Sequence, residues 1–212
     1  MMTRRLLQLL LGLAMYGVSL AMFIRAGLGL DPWDVFHQGL AVRTGLSIGT
    51  VVVIVSFLVL LLWIPLRQWP GIGTLCNAVL VGVFADVGLA LIPALSHLGG
   101  QIGMLAGAIL LNGIASACYI GARLGPGPRD GLMTGLARRT GWSVRASRTG
   151  IEVVVLGAGW LLGGSIGVGT VLYALAIGPL VQLLLPRFTV PEFKKPKAPV
   201  VAADSAAARP AP

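Results

Sequence analysis

Asp34 and Asp130 occupy the same place in two copies of one motif, in a chain of 212 residues with only seven acidic side chains. In each copy a proline, Pro32 or Pro128, stands two residues before the aspartate, and an arginine, Arg43 or Arg139, follows nine residues after it. Two chemistries suit a carboxylate in this setting. As the third residue of a helix it can reach back to free amides in a capping box, with the proline at the first helical position and the arginine complementing the negative end of the dipole. Alternatively, two helix starts brought to one cavity present exposed amides and carboxylates that together bind a polar or ionic solute. Nine residues of helix span about 13 Å, so neither aspartate can pair with the arginine of its own helix. Each arginine then serves its helix end or an anionic group elsewhere.

Asp86 is a third candidate, because it interrupts the apolar run LVGVFADVGLALI. An ionised group within a membrane span costs about 3 kcal/mol on insertion scales, so it needs a reason. One is a cation or proton site; the other is a protonated or hydrogen-bonded packing residue near the interface. The candidate solute contacts are therefore Asp34, Asp86, Asp130, Arg43 and Arg139. Glu152 follows Arg148 by four residues, the spacing of an intrahelical ion pair. His37 and His97 have no metal-ligand partner at helical spacing. His37 stands close to Asp34 on a segment where solvent is expected, which gives a proton-coupling role little support. Cys76 and Cys118 fall within apolar runs as packing residues. Paired-histidine motifs, nucleophile elbows and phosphate loops are absent, and GLGLD and GPGPRDG follow apolar spans and not strands. The expectation is a protein that is not an enzyme and carries no cofactor or metal.

The elements that must position these groups are used twice. Residues 26 to 47 recur at 122 to 143 with a constant offset of 96 and 12 of 22 positions identical, and the match resumes at Gly71/Gly167, Gly73/Gly169 and Thr74/Thr170. At 56% hydrophobic and 11% charged, with a mean hydropathy of +0.89, the chain exposes more apolar surface than a soluble domain could bury. Six apolar runs, at residues 6–24, 48–64, 72–92, 101–121, 150–166 and 168–186, read as transmembrane helices. The fifth is weakened by Glu152 and several glycines. The first resembles a secretory signal, but it matches the fourth within the repeat and is taken as a retained helix. Three spans per half is an odd number, so the second half should enter the membrane from the opposite side. The expected fold is all-α and polytopic, six transmembrane helices as two inverted three-helix repeats, each with a short loop or re-entrant helix. The boundaries fall at residues 1–96 and 97–189, with a disordered cytoplasmic tail at 190–212.

Each short helix has its start and stop written in sequence. Asp31 can cap the first, Gly45 and Gly141 can end both, and Ser47 and Ser143 can cap the spans that follow. Trp33 and Phe36 suit a helix lying at the membrane interface, whereas the repeated Gly39 and Gly135 suit close approach to another backbone. With both termini in the cytoplasm, 14 of the 16 lysines and arginines lie on that side and only Arg25 and Arg43 face outward. The net charge of +9 is then matched to anionic lipid headgroups and not to nucleic acid.

The segments GLGLDPWDVFHQGLAVRTGLSIGT (27 to 50), PGIGTLCN (70 to 77), LGPGPRDGLMTGL (124 to 136) and GWLLGGSIGVGT (159 to 170) resemble the YczE/YyaS/YitT group of bacterial integral membrane proteins. That resemblance spans about residues 5 to 186 and implies a polytopic inner-membrane protein without established activity or transferable site residues. Two functions fit. One is a small-solute or ion permease with a polar site between the halves. The other is a membrane interaction or accessory protein, whose glycine-rich face (Gly157, Gly159, Gly163, Gly164, Gly167 and Gly169) packs against a partner or forms a homo-oligomer.

Overall fold

The computed structural model describes residues 2–191, all of whose regular structure is helical: α1 (Met2–Ala26), α2 (Pro32–Thr44), α3 (Ile48–Trp63), α4 (Ile72–Leu91), α5 (Leu98–Gly121), α6 (Pro128–Thr140), α7 (Val144–Leu161) and α8 (Val168–Phe188). The order long, short, medium, long appears twice, as the repeat requires. Local chemistry sets the breaks. Gly45 and Gly141 end the short helices with φ of 71° and 76°, a left-handed backbone that glycine adopts without steric penalty. Two residues later Ser47 accepts from the Thr50 amide at 3.1 Å and Ser143 from the Ala146 amide at 3.1 Å, which opens α3 and α7.

Length and charge trim the expected six spans. Helices α1, α4, α5 and α8 are each long and apolar enough to cross a membrane, and α3 joins them only as a pair with α2, from which it is bent by 114°. The fifth expected run, residues 150–166, is displaced: α7 begins six residues earlier at its serine cap and stops ahead of Gly163, whose φ is 103°. Its first turns therefore carry Arg145 and Arg148 as well as Glu152. Leu7, Leu11, Leu61 and Leu175 are among many large apolar side chains left on the outside, an outer surface suited to hydrocarbon.

Helix α1 packs against α5 and α4, α5 also carries α8, and the short helices cross over, α2 onto α7 and α6 onto α3. Small residues permit this closeness. A Cβ on Gly12 would lie 2.8 Å from the Tyr119 amide nitrogen, and one on Gly17 would lie 2.6 Å from the Val81 carbonyl oxygen. Asn112 donates to Ser19 at 2.9 Å and accepts from the Tyr173 hydroxyl at 3.2 Å, so three helices share one buried polar link. Cys76 and Cys118 are both free thiols. The packed body runs slightly past the expected boundary, because Val190 is buried, its amide donates to the Gly121 carbonyl at 3.0 Å, and Arg5 donates to the Pro191 carbonyl at 2.7 Å. The rest of the expected tail lies outside the described residues.

The short helices are inserted elements and do not lie flat on the body. In α2 the residues Pro32, Trp33, Asp34, Val35, His37 and Gly39 are buried, while the chain from Val42 to Ser47 is exposed. Gly39 and Gly159 let α2 and α7 meet backbone to backbone: a Cβ at Gly39 would stand 2.5 Å from the Gly159 carbonyl oxygen. Gly39→Ala should therefore destabilise by about 1–3 kcal/mol, the usual penalty of overpacking. A lowered unfolding temperature in detergent is the expected result, and an unchanged one would mean that α2 does not rest on α7.

Candidate functional site

Glycine geometry at the link before each short helix seats the start of that helix inside the opposite half. Gly29 and Gly125 have φ of 115° and 125°, and a Cβ on either would come within 2.8 Å of Thr170 Oγ1 or Thr74 Oγ1 respectively. The two links make the same bond to opposite halves: Gly169 N donates to Leu28 O at 2.8 Å, and Gly73 N donates to Leu124 O at 2.8 Å. Thr74 adds a bond to the Pro126 carbonyl at 2.7 Å, and Trp63 of α3 donates to the Pro128 carbonyl at 3.0 Å. Each helix start is thus held by the other half.

Arg129 lies where the two starts meet. Its guanidinium approaches Asp31 Oδ2 at 3.5 Å through Nη1 and Asp34 Oδ1 at 3.3 Å through Nη2, and it stands 5.5 Å from the centre of the Trp33 ring. Asp34 Oδ1 also contacts His37 Nδ1 at 3.1 Å. Asp31, Asp34 and His37 are at most 2% exposed. Asp31 is the N-cap of α2 as expected, accepting from the Asp34 amide at 2.9 Å, and it takes the arginine as well. On the other side Asp130 Oδ2 accepts from the Tyr119 hydroxyl. Neither duplicated aspartate turns back to the amides of its own helix. Asp34 is spent on His37 and Arg129, and Asp130 on Tyr119, so the capping-box explanation describes the sequence spacing but not the bonds formed.

Charge dominates here. Two buried carboxylates face one guanidinium, and such a group removed from water is stable only while its partners remain. The Asp34 Oδ2 atom is buried without a hydrogen-bond partner, which leaves an acceptor available at the centre of the cluster. Two small polar chambers flank it. One, of about 40 Å³, has Tyr16, Asn77, Tyr119, Arg129 and Asp130 among its walls; the other, of about 50 Å³, is bounded by Tyr16, Asp31, Trp33, Arg129, Asp130 and Glu152. Either volume accommodates water-sized occupants, since one water needs roughly 10–15 Å³ on this measure. A third cavity of about 200 Å³ shares Pro32, Arg148, Glu152 and Tyr173 with the second. Among the described residues no three His, Cys, Asp or Glu side chains gather as a metal site.

The remaining candidates lie elsewhere. Asp86 accepts from Ser47 Oγ at 2.6 Å and from the Gly49 amide at 2.8 Å, so it ties α4 to the first turn of α3. Arg43 donates to the Leu162 carbonyl at 3.2 Å near the surface, joining α2 to the end of α7. Arg139 is exposed in the last turn of α6. Arg148 and Glu152 form the expected pair at 2.8 Å. Two expectations are corrected. Arg129 belongs to the interior cluster and not to a basic cytoplasmic surface, and His37 is buried where solvent was expected, because the start of α2 is inserted. Sequence reasoning also passed over Tyr119 and the meeting of Arg129 with Asp31 and Asp34. The available signal was the repeat itself: Trp33 and Arg129 are counterparts at the offset of 96, so the pattern departs from identity beside its duplicated aspartates.

Arg129→Met should destabilise the protein by about 3–5 kcal/mol, because it leaves Asp31 and Asp34 buried without a cation. Adding Asp34→Asn should restore part of that loss, giving a coupling energy of about 0.5–3 kcal/mol in a double-mutant cycle of unfolding in detergent. Strictly additive losses would show that the two residues do not interact.

Relatives place the chain by sequence. A profile of a protein family of unknown function, DUF6198, matches residues 3–186. The chain is 40% identical over 173 residues to the uncharacterized membrane protein YczE of Bacillus subtilis, covering 81% of this chain and 80% of that protein. It is 39% identical over 178 residues to an uncharacterized protein of Haemophilus influenzae, covering 84% and 81%. With YyaS of Bacillus subtilis it shares 27% identity over 183 residues, 83% of this chain and 90% of that protein. No solved structure matches. The expected resemblance to YczE and YyaS therefore holds across nearly the whole helical body, and the chain, a membrane protein with several apolar helices, belongs to the DUF6198 family.

Proposed function

We propose that this protein is a small-solute or ion permease of the bacterial cell membrane, built as two inverted three-helix repeats around the Arg129 cluster, with both termini in the cytoplasm. The observation that carries the reading is the meeting of Arg129 from the second repeat with Asp31 and Asp34 from the first, beside water-sized polar chambers. Buried ionisable groups are expensive in a membrane protein and characteristically mark ion or solute pathways. Helix starts that point into the interior bring their ionisable side chains to the same place, as in transporters with interrupted helices. In this reading α3 and α7 complete the six spans, α7 with its charged first turns at the cytoplasmic interface. The cationic surface faces anionic lipid, and the protein performs no covalent chemistry.

The chambers limit what the cluster can hold. In this conformation they suit a proton, a small ion or a water-sized solute in contact with Asp130 and Arg129, and in the second chamber with Asp31, whose neighbour Asp34 shares the same arginine. The alternative of an accessory protein acting through a glycine-rich face has less to stand on. Gly159 and Gly164 approach Phe36 and Val35, and Gly167 and Gly169 approach Leu28, so four of those glycines are already occupied within the chain.

Reconstitution of the full chain in phosphatidylethanolamine and phosphatidylglycerol vesicles tests the reading. Proton flux under an imposed pH gradient, read by a trapped pH dye, is measured beside fluxes of sodium, potassium and chloride. At least one should exceed that of protein-free vesicles and should fall to the protein-free level in Asp34→Asn and Asp130→Asn variants that remain monodisperse. Fluxes indistinguishable from empty vesicles for all four ions would remove the ion-permease form of the proposal.

A further inference from the structure

The two halves are alike in sequence but differ where their last two helices meet. In the first half α3 packs against α4, whereas no comparable packing joins their counterparts α7 and α8. The closed seam has a definite construction. Gly49 and Gly82 bring the backbones together so tightly that a Cβ on Gly82 would lie 2.4 Å from the Gly49 carbonyl oxygen, and Asp86 fastens the same place through Ser47 and Gly49. At the offset of 96 the corresponding residues are Arg145 for Gly49, Gly178 for Gly82 and Gln182 for Asp86. A Cβ on Gly178 would meet nothing within 4 Å. Ala78 is completely buried, yet its counterpart Ala174 is exposed.

The open seam leads somewhere. Its 200 Å³ cavity is bordered by Arg145, Arg148, Thr149, Glu152, Ala174 and Gly178, and it shares walls with the chamber beside Asp31, Arg129 and Asp130. The 40 Å³ chamber on the other side of Arg129 is bordered by Val52, Ser56, Asn77 and Val81, the counterparts of Arg148, Glu152, Tyr173 and Ile177. The same place in the two halves is thus a wider cavity lined by charged side chains in one and a small pocket in the other. A structure built from two copies of one unit has a second arrangement available to it, in which the copies exchange these conformations.

We propose that the α7–α8 seam is the open mouth through which a small hydrophilic solute or ion reaches the Arg129 cluster, and that the α3–α4 seam is the equivalent mouth, held shut by Asp86. Asp86 is then a positioning residue for access and not a ligand. The inference rests on the permease reading, but its test counts accessible thiols and needs no flux.

Single cysteines at Thr149 and Ala174, and at their counterparts Val53 and Ala78, are introduced into the full chain with Cys76 and Cys118 replaced. A small membrane-impermeant thiol reagent is applied from either side of sealed vesicles. The Thr149→Cys and Ala174→Cys variants should label from the side that the start of α7 faces, and Val53→Cys and Ala78→Cys should be protected. Combining Asp86→Asn with each should raise labelling at Val53 and Ala78 several-fold, from the opposite side, and lower it at Thr149 and Ala174. If Asp86→Asn does not accumulate, Ser47→Ala removes one donor and keeps the carboxylate, and a smaller shift in the same direction is expected. Equal labelling at the two seams, or a pattern indifferent to Asp86→Asn or Ser47→Ala in folded protein, overturns the proposal even where ion flux is present.

Discussion

A largely buried guanidinium set between fully buried carboxylates of the opposite half is the constraint on which the interior depends. Arg129 cannot be buried alone, and neither can Asp31 and Asp34, so the two short helices are stable in their inserted positions only together. The Trp33 ring beside the guanidinium adds a weakly polar surface that a flexible ammonium would use less well. Non-directional apolar packing holds most of this protein; the cluster adds a preference for one arrangement of the halves.

Backbone geometry makes that burial achievable. A chain entering the interior must satisfy its amides and carbonyls without water, and here each link does so on the first turn of a helix from the other half. Gly29 and Gly125 combine a positive φ with a neighbour too close to admit a side chain, so both reasons for glycine act at one residue. The reciprocal bonds leave the helix starts facing a common centre, where the Arg129 guanidinium and the carboxylates of Asp31, Asp34 and Asp130 create a polar environment.

Identity of sequence does not enforce identity of shape in the two halves. Where the first repeat has Gly49 and Asp86, the second has Arg145 and Gln182, and a large charged side chain cannot enter the backbone contact that a glycine makes. The bulk at Arg145 and the missing carboxylate both favour separation of α7 from α8. Those two substitutions give a local physical reason why the wider cavity lies beside α7 and α8 and the smaller pocket beside α3 and α4.

Much of the architecture was legible in one dimension. The repeat, the glycine stops, the serine caps, the Asp31 cap and the Arg148–Glu152 pair all depend on residues within a few positions of one another, and local rules reach that far. The end of α7 at Leu161 was not legible, because hydropathy marks where a chain is apolar and not where its backbone turns, here at Gly163. Nor was the cluster, since Arg129 is separated from Asp31 and Asp34 by 98 and 95 residues and only folding sets that distance. The amino-acid sequence by itself fixed a membrane-embedded helical chain made of one unit used twice, because composition and periodicity are properties of the chain. Tertiary structure alone decided that Asp34 faces an arginine of the other half, that Asp86 fastens a seam, and that His37 is dry, because burial and charge pairing depend on which surfaces meet.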